Sequence, residues 1–433
     1  MRVRWLFAVL FFCATFALGQ TTNNAQQCAS TTDPALSIQY CTAAINDASS
    51  LSADVLAMCY HNRALAYYLE QQYNPALADV NQALRIHPGV AISLSLRGGI
   101  EATLHDYNLA IPDFKAAIVA DKTPTDDDNT LLTAYLELSS AYVETRHYDK
   151  AIEAASAALG VKPNDFAAYW ARALAYRGKL DYAHAAQDIQ SAINLKPTFF
   201  YLYNSQADVY ENTRQWDKVY ADFNKSLQID PNASSTYRGR AWAEWEQDNG
   251  DKAMADAGKA LQLNPESTSA LQLEAQIYLS RGDFWSAQNN LQKAVALEPK
   301  EPYYVLWRHI ALAHGFIDDH EDFAHNTAAL DFQHWPGPIL SYYLGKITRA
   351  QLLAQVDTPD RARTLVRKCE SSFYIGEHDL AKHRTVAATA LFRQAINFCP
   401  VTYIEYTGAR MELELLAKQA PHTARKPANA TRR

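Results

Sequence analysis

Residues 132–165 read LTAYLELSSAYVETRHYDKAIEAASAALGVKPND, and residues 166–199 read FAAYWARALAYRGKLDYAHAAQDIQSAINLKPTF. The same 34-residue pattern continues for three more copies, and a proline closes each copy at the same place. The five prolines are Pro163, Pro197, Pro231, Pro265 and Pro299. Because a fixed period of this length is typical of stacked structural units, residues 132–299 predict a repeat array.

Small residues recur inside every copy when each is numbered from its first residue, so that Leu132 and Phe166 both stand at place 1. Place 8 holds Ser139, Ala173, Ala207, Ala241 and Ala275, and places 20 and 27 hold alanine or serine with the one exception of Val219 at place 20. A tyrosine recurs at place 11 in four of the five copies, with Glu244 as the exception. Small side chains let two short helices approach closely, and the closing proline ends the second helix. The pattern resembles the tetratricopeptide repeat, which implies an all-α fold: a right-handed superhelical solenoid of antiparallel helix pairs.

The array is predicted to extend to both sides of the five regular copies. The predicted segments are a signal peptide (1–19), a leader with a degenerate N-terminal capping unit (20–56), two repeats (57–124), an acidic loop (125–131), five regular repeats (132–300), an irregular helical segment (301–368), a C-terminal repeat with a capping helix (369–420) and a disordered basic tail (421–433).

The N-terminus has the features of a secretory signal. Arg2 and Arg4 precede an apolar run at residues 5–16, and residues 17–19 form a small-x-small cleavage site. The bulky residues before Cys13 do not form a lipobox. The apolar run is shorter than the roughly 20 residues that span a bilayer. We therefore expect a periplasmic or secreted protein without a membrane span.

Composition and motifs argue against several classes of function. The 433-residue chain carries a formal net charge of -7, and no basic stripe is present, so nucleic acid is not an expected partner. The sequence holds no nucleotide-binding glycine loop and no nucleophile elbow. We expect no cofactor, no catalytic residue and no enzymatic activity.

Three phrases in the C-terminal third carry a more specific resemblance. They are Ile339–Ile347, Phe373–Glu377, and Tyr403–Tyr406 ahead of Met411–Leu416. Over residues 302–416 the chain resembles the NlpI-like tetratricopeptide lipoproteins of the bacterial envelope. The resemblance implies a non-enzymatic adaptor that docks peptidoglycan hydrolases and a processing protease, and that forms homodimers. The chain lacks the lipidated cysteine, so membrane anchoring is not implied.

The cysteines predict two disulfides, because thiols can pair in the oxidising compartments that exported proteins enter. Cys369 and Cys399 stand at places 1 and 31 of one repeat, where antiparallel helices bring them side by side. Cys28 and Cys41 stand at places 11 and 24 of the capping unit, which also face each other. Cys59 is left as a free thiol. The alternative is that all five are small buried apolar residues.

Five histidines between residues 309 and 334 raise the question of a metal site. They are His309, His314, His320, His325 and His334. A helical zinc motif needs two histidines four residues apart, whereas His320 and His325 are five apart and about 140° apart around a helix. We expect no metal and interpret the histidines as solvated or packed. A metal-dependent hydrolase built on residues 309–334 is the alternative.

The inner surface of such an array, formed by the first helices, is the predicted site for a partner. Its places 2, 5, 6, 9, 12 and 13 give Trp170, Arg177, Tyr201, Asn204, Asp208, Glu211, Arg238, Trp242 and Trp245. Aromatic and arginine side chains are common hot spots of interfaces. The ligand expected is an extended peptide or a protein face. Two alternatives stay open: the three tryptophans pack between repeats, or the chain is a structural subunit of an envelope assembly.

Overall fold

The structure is a computed structural model that describes residues 23–121, 129–400 and 403–419. Within these ranges the regular secondary structure is helical and includes no strand. None of the helices in the described ranges is both long and apolar enough to cross a membrane. The predicted signal peptide, most of the acidic loop and the basic tail lie outside the described residues.

The chain divides into two compact units, residues 1–209 and residues 210–433, and the division falls inside helix α11. The first unit contains α1 (Asn23–Ser30), α2 (Pro34–Asn46), α3 (Ala53–Leu69), α4 (Tyr73–Ile86), α5 (Ala91–Thr103), α6 (Tyr107–Ala120), α7 (Asn129–Glu144), α8 (Tyr148–Val161), α9 (Phe166–Gly178), α10 (Tyr182–Leu195) and most of α11 (Phe200–Asn212). A short 3-10 helix, Ala48–Ser50, lies between α2 and α3.

The second unit continues with pairs of similar length and then becomes less regular. Its helices are α12 (Trp216–Ile229), α13 (Ser234–Glu246), α14 (Gly250–Leu263), α15 (Thr268–Ser280), α16 (Phe284–Leu297), α17 (Pro302–His314), α18 (His320–Thr327), α19 (Gly337–Tyr343), α20 (Arg349–Leu353), α21 (Arg361–Ala381), α22 (Thr385–Phe398) and α23 (Ile404–Gln419). Within each unit the paired helices pack against each other in chain order, as the repeat pattern predicts.

Two of the predicted boundaries differ from the helices observed. The acidic loop was expected to reach residue 131, but α7 already begins at Asn129. The C-terminal repeat was expected to start at Cys369, but α21 begins at Arg361 and so takes in the end of the irregular segment. Helix α21 is 21 residues long, whereas the first helices of the earlier repeats have 13 to 17 residues. The repeat pattern therefore marks only the part of α21 from Cys369 onward.

A left-handed residue at place 15 closes the turn between the two helices of nine pairs. Eight of these residues are not glycine: Gln71, His105, Arg146, Leu180, Arg214, Asp248, Phe316 and His383, while Gly282 is the ninth. The following backbone N–H reaches back five residues, as in Asp181 N to Tyr176 O at 2.9 Å. This is the 6→1 bond of a Schellman motif, which normally uses glycine because a Cβ is disfavoured at positive φ.

We expect Leu180→Gly to raise the free energy of unfolding by about 0.5–1 kcal/mol, because glycine removes that Cβ penalty. Little apolar burial is lost, since Leu180 is 70% exposed. The matched control is Gly282→Ala at the same place, which should lower stability by a similar amount. Urea denaturation followed by circular dichroism measures both changes. A loss of stability in Leu180→Gly would contradict the prediction.

A repeated ion pair joins the two helices of four hairpins through an arginine at place 7 and an aspartate at place 23. The pairs are Arg63–Asp79, Arg97–Asp113, Arg172–Asp188 and Arg240–Asp256, all bidentate with N–O distances of 2.5 to 2.9 Å. The aspartates are buried, or nearly so, and the arginines are partly covered. In the hairpin of α15 and α16 the acidic residue is at place 7 instead, where Glu274 accepts a hydrogen bond from the amide of Asn290 at place 23.

The core of the second unit is centred on Trp307 of α17, which is fully buried. Its ring stacks on Phe373 of α21 with 5.2 Å between ring centroids. Gly408 of α23 lies against both rings, so closely that a Cβ there would come within 2.8 Å of each. Gly376 makes a similar close approach to Phe392, at 2.7 Å. Close helix approach at these glycines is therefore what makes room for the large aromatic rings.

The sulfur atoms of both predicted cysteine pairs lie at bonding distance. They are 2.05 Å apart in Cys28 and Cys41, and 2.11 Å apart in Cys369 and Cys399. These distances are compatible with disulfides that close the hairpins of α1 with α2 and of α21 with α22. Cys59 is free and buried, and burial raises the pKa of its thiol to about 11.

Candidate functional site

The structure divides the residues of the predicted groove into packed and accessible ones. Trp170 is 2% exposed and donates its ring N–H to Ser205 Oγ at 2.8 Å. Its ring packs against Phe199 and Tyr201, with centroids 5.5 and 6.4 Å away. Trp170 therefore fills the gap between α9 and α11 as a packing residue, and the interpretation of this tryptophan as an exposed anchor is not supported.

Three further groove residues are also buried: Asn204, Glu211 and Trp245. Trp245 packs edge-on against Trp242, with 5.6 Å between ring centroids. The place of a residue in the repeat determines on which face of the helix its side chain lies. Whether the side chain is buried depends on the neighbouring helix. These three side chains are covered, so they are not available as contacts for a partner in this conformation.

The remaining predicted groove residues keep part of their surface exposed. In the first unit these are Tyr201, Arg177 and Asp208, and Arg177 donates to Asp208 Oδ2 at 2.7 Å between α9 and α11. In the second unit, Arg238 and Trp242 are half-buried on α13. Each unit thus presents an aromatic side chain with an arginine on its first helices.

The first helices of the second unit already hold a helix of the same chain. Helix α23 contacts α15 and α21, and Gly408 reaches Trp307 of α17. Arg410 donates to Asp248 Oδ1 at 3.0 Å and to Glu246 O at 3.3 Å, at the end of α13. The predicted capping helix therefore does more than cover α22: it lies on the surface formed by α13, α15, α17 and α21, which we call the inner face of unit 2.

Buried carboxyl groups and aromatic rings secure α23 on this face. Tyr374 of α21 donates its hydroxyl hydrogen to Glu405 Oε1 at 3.1 Å. Burial, together with the neighbouring charge of Glu370, raises the pKa of Glu405 to about 8, so this carboxyl group stays largely protonated at neutral pH. The inner face of unit 2 thus binds a helix through apolar contacts and a few polar side chains.

Consecutive helix pairs of 34 residues, with the same left-handed turn inside each pair, are typical of the tetratricopeptide repeat. Residues 136–198 match the family model described as tetratricopeptide repeat. The chain has the tetratricopeptide repeat fold. The resemblance of residues 302–416 to the NlpI-like lipoproteins is not confirmed by the comparisons and stays a prediction.

Several solved structures are similar to this chain at low sequence identity. A tetratricopeptide repeat protein from Parabacteroides merdae is 17% identical and aligns over 59% of this chain and 98% of its own, with a TM-score of 0.50. PilF of Pseudomonas aeruginosa is 15% identical over 52% of this chain and 99% of its own, with a TM-score of 0.41. YrrB, described as having an unusual peptide-binding site, is 17% identical over 46% and 97%, with a TM-score of 0.35.

The histidines of residues 309–334 do not converge on one site. His320 and His325 are exposed, and His334 contacts Asp331 at 2.7 Å on the surface. His309 contacts Asp319, also at 2.7 Å. This arrangement gives no support to a hydrolase built on that segment alone. His314 is different, because it meets residues from two distant helices.

His314, Glu377 and Glu412 form a cluster that sequence reasoning missed. His314 Nε2 lies 3.1 Å from Glu377 Oε2 and 3.4 Å from Glu412 Oε1. Burial acts to lower the pKa of His314, but the hydrogen bond to Glu377 and both glutamate charges outweigh it and raise the pKa to about 9. Burial and the charge of Glu377 likewise raise the pKa of Glu412 to about 8.

The cluster opens onto a cavity of about 660 Å³ in the second unit. His309, His378 and Asp318 also line it, and Phe316, 89% exposed, stands among its lining residues. Burial and nearby cations lower the pKa of His378 to about 4, so that imidazole is neutral at pH 7. Apolar side chains such as Ile310 and Leu415 line it as well, and an apolar lining with a few converging polar groups is the general form of a ligand site.

One signal in the sequence could have identified this cluster. His314 stands at place 13 of a repeat that begins at Pro302, and Glu377 stands at place 9 of the last repeat. Both are places that face the inner surface. Extending that assignment beyond the five regular copies would have marked both residues, although Glu412 on α23 has no place in the pattern.

Proposed function

We propose that this chain is a non-enzymatic scaffold that binds a protein or peptide segment on the inner face of unit 2. One observation carries the proposal: that face already holds an amphipathic helix, α23, through the rings of Trp307 and Phe373 and the polar contacts of Arg410. Recognition of a helix in an apolar groove is a common mode of peptide binding. The surface therefore has the chemistry needed for a helical partner.

The free part of the inner face lies beside α23 on α13, where Trp242 and Arg238 keep exposed surface. Trp242 hydrogen-bonds to Glu246, and Arg410 contacts the backbone of the same residue. Burial raises the pKa of Glu246 to about 7, against the opposing charges of Arg410 and Arg214. A partner at this point would meet an aromatic surface next to both charge signs, as interface hot spots do.

We expect Trp242→Ala and Arg238→Ala each to weaken partner binding by about thirtyfold, because loss of a hot-spot contact costs about 2 kcal/mol. The probe is a peptide selected from a displayed random library against the full chain, and its affinity is measured by fluorescence anisotropy. The control variant is Trp285→Ala, which removes a tryptophan that is 66% exposed on the second helix α16.

Three results would count against this proposal. One is an equal loss of affinity in Trp285→Ala, and another is unchanged affinity in both variants. The third is a Trp242→Ala chain that unfolds while its folded fraction binds as before, which would make Trp242 a packing residue. Circular dichroism of each variant separates loss of folding from loss of binding.

We also propose that the protein acts outside the cytoplasm, in the periplasm or after secretion, as an adaptor for an envelope enzyme. The apolar run at residues 5–16 and the cleavage pattern at residues 17–19 support export. The two cysteine pairs at disulfide distance support it independently, because such bonds persist in oxidising compartments. Cell fractionation of the tagged full chain, with recovery only from the cytoplasm, would overturn this assignment.

A further inference from the structure

We infer that His314, Glu377 and Glu412 form a binding site for a divalent transition-metal ion of the zinc class, which fastens α23 to the inner face of unit 2. The three residues come from α17, α21 and α23. Each residue offers one donor atom, and the three donor atoms lie within 4.8 Å of one another. In the part of the chain that the structure describes, these three residues are the set of histidine, cysteine and acidic side chains close enough together to share one ion. This inference does not depend on partner binding.

The distances in the cluster already suit a metal ion. Zinc binds imidazole nitrogen and carboxylate oxygen at about 2.0–2.2 Å, so tetrahedral ligands stand about 3.4 Å apart. His314 Nε2 is 3.1 and 3.4 Å from the two glutamate oxygens. An ion can therefore reach all three donor atoms with small movements of the side chains.

The burial and the hydrogen bonding of the two glutamates also favour a bound cation. The side chains of Glu377 and Glu412 are only 4% and 2% exposed. Glu377 Oε1 is buried without a hydrogen-bond partner, and Glu412 Oε1 has the 3.4 Å ion pair with His314 but no hydrogen bond. A buried carboxylate oxygen without a partner is costly. Coordination to a cation would supply the missing interactions.

The cavity beside the cluster leaves space for a further ligand. One histidine and two carboxylates provide three protein ligands, and zinc takes a fourth. The cavity of about 660 Å³ is lined by all three residues, so water or a ligand can occupy the fourth position. Because the ligands lie 63 and 35 residues apart along the chain, the ion would connect segments that the repeats alone leave separate.

The test is titration of the metal-stripped full chain with ZnCl2 by isothermal calorimetry, with MgCl2 as the comparison ion. We expect one tightly bound Zn²⁺ per chain, no comparable binding of Mg²⁺, and a melting temperature that rises with the free zinc concentration. His314→Gln and Glu412→Gln should each weaken zinc binding by more than about 100-fold, since loss even of an outer partner of a ligand costs about 10–100-fold.

The matched control is His334→Gln, which removes an exposed histidine that contacts a single carboxylate, Asp331. It should bind zinc as the wild type does. Glu412→Gln keeps the shape of the side chain, so its circular dichroism and melting temperature without metal show whether the fold survives. Should His314→Gln fail to fold, the visible absorption of Co²⁺ bound to the wild type, and its absence in Glu412→Gln, still decide the question.

Equal zinc affinity in the wild type and Glu412→Gln would overturn the inference, as would loss of binding in His334→Gln or the absence of tight binding in the wild type. The cluster would then be a buried imidazolium between two glutamates. In that case His314→Gln would lower the melting temperature by the same amount with and without zinc.

Discussion

Trp307→Ala lowers the free energy of unfolding of the second unit by about 3–5 kcal/mol, the range measured for large-to-small changes of fully buried aromatic residues. The ring is completely buried and stacks on Phe373, and Gly408 of α23 lies against both. Alanine leaves a cavity between α17, α21 and α23, and these helices could fill it only by moving toward one another. Urea denaturation followed by circular dichroism measures the change.

The control for this prediction is again Trp285→Ala, because that side chain is mostly exposed and its loss should change stability little. Trp307→Leu provides a second comparison, since it keeps part of the buried volume and should recover part of the lost stability. A Trp307→Ala variant no less stable than Trp285→Ala would show that Trp307 does not hold this core together.

Arg172→Met lowers the free energy of unfolding by up to about 3–5 kcal/mol, because it leaves the carboxylate of Asp188 buried without its partner. The Asp188 side chain is 7% exposed and accepts two hydrogen bonds from Arg172 at 2.7 and 2.8 Å. The double variant Arg172→Met, Asp188→Leu removes both charges and should recover most of the loss. The same denaturation measurement applies.

An exposed ion pair offers the comparison for this second prediction. Lys179 and Asp149 lie 2.6 Å apart, but both side chains are more than half exposed, so Lys179→Met should change stability little. A double variant as unstable as Arg172→Met alone would contradict the explanation by an unpaired charge. Lost packing of the arginine stem would then be the cause.

The repeat architecture could be predicted because its signals are local. A helix pair, its turn and its closing proline lie within 34 residues, so spacing alone indicates them. The burial of Trp170, Asn204 and Trp245 could not be predicted in this way. The place of a residue in the repeat tells on which face of its helix the side chain lies. Whether that side chain is buried depends on how closely the first helix of the next repeat approaches, and the side chains of both helices determine that distance.

The cluster of His314, Glu377 and Glu412 could be predicted only in part, for a related reason. His314 and Glu377 belong to repeats in which the regular pattern has weakened, and Glu412 belongs to a helix outside any repeat. Helix α23 reaches them through contacts that are distant in sequence, such as Gly408 with Trp307. Local periodicity carries no information about contacts of this kind. The arginine at place 7 and the aspartate at place 23 lie within one repeat, so spacing alone could have predicted their ion pair.

The return of α23 to the inner face of unit 2 also affects the order in which the chain folds. Each hairpin forms from neighbouring residues, so the repeats can fold one after another. Arg410, however, meets Asp248 across 162 residues of sequence. Until α23 docks, the rings of Trp307 and Phe373 remain uncovered on that side. The folding chain therefore exposes an apolar surface until its last helix is in place, and chaperones that bind such surfaces would engage it at that stage.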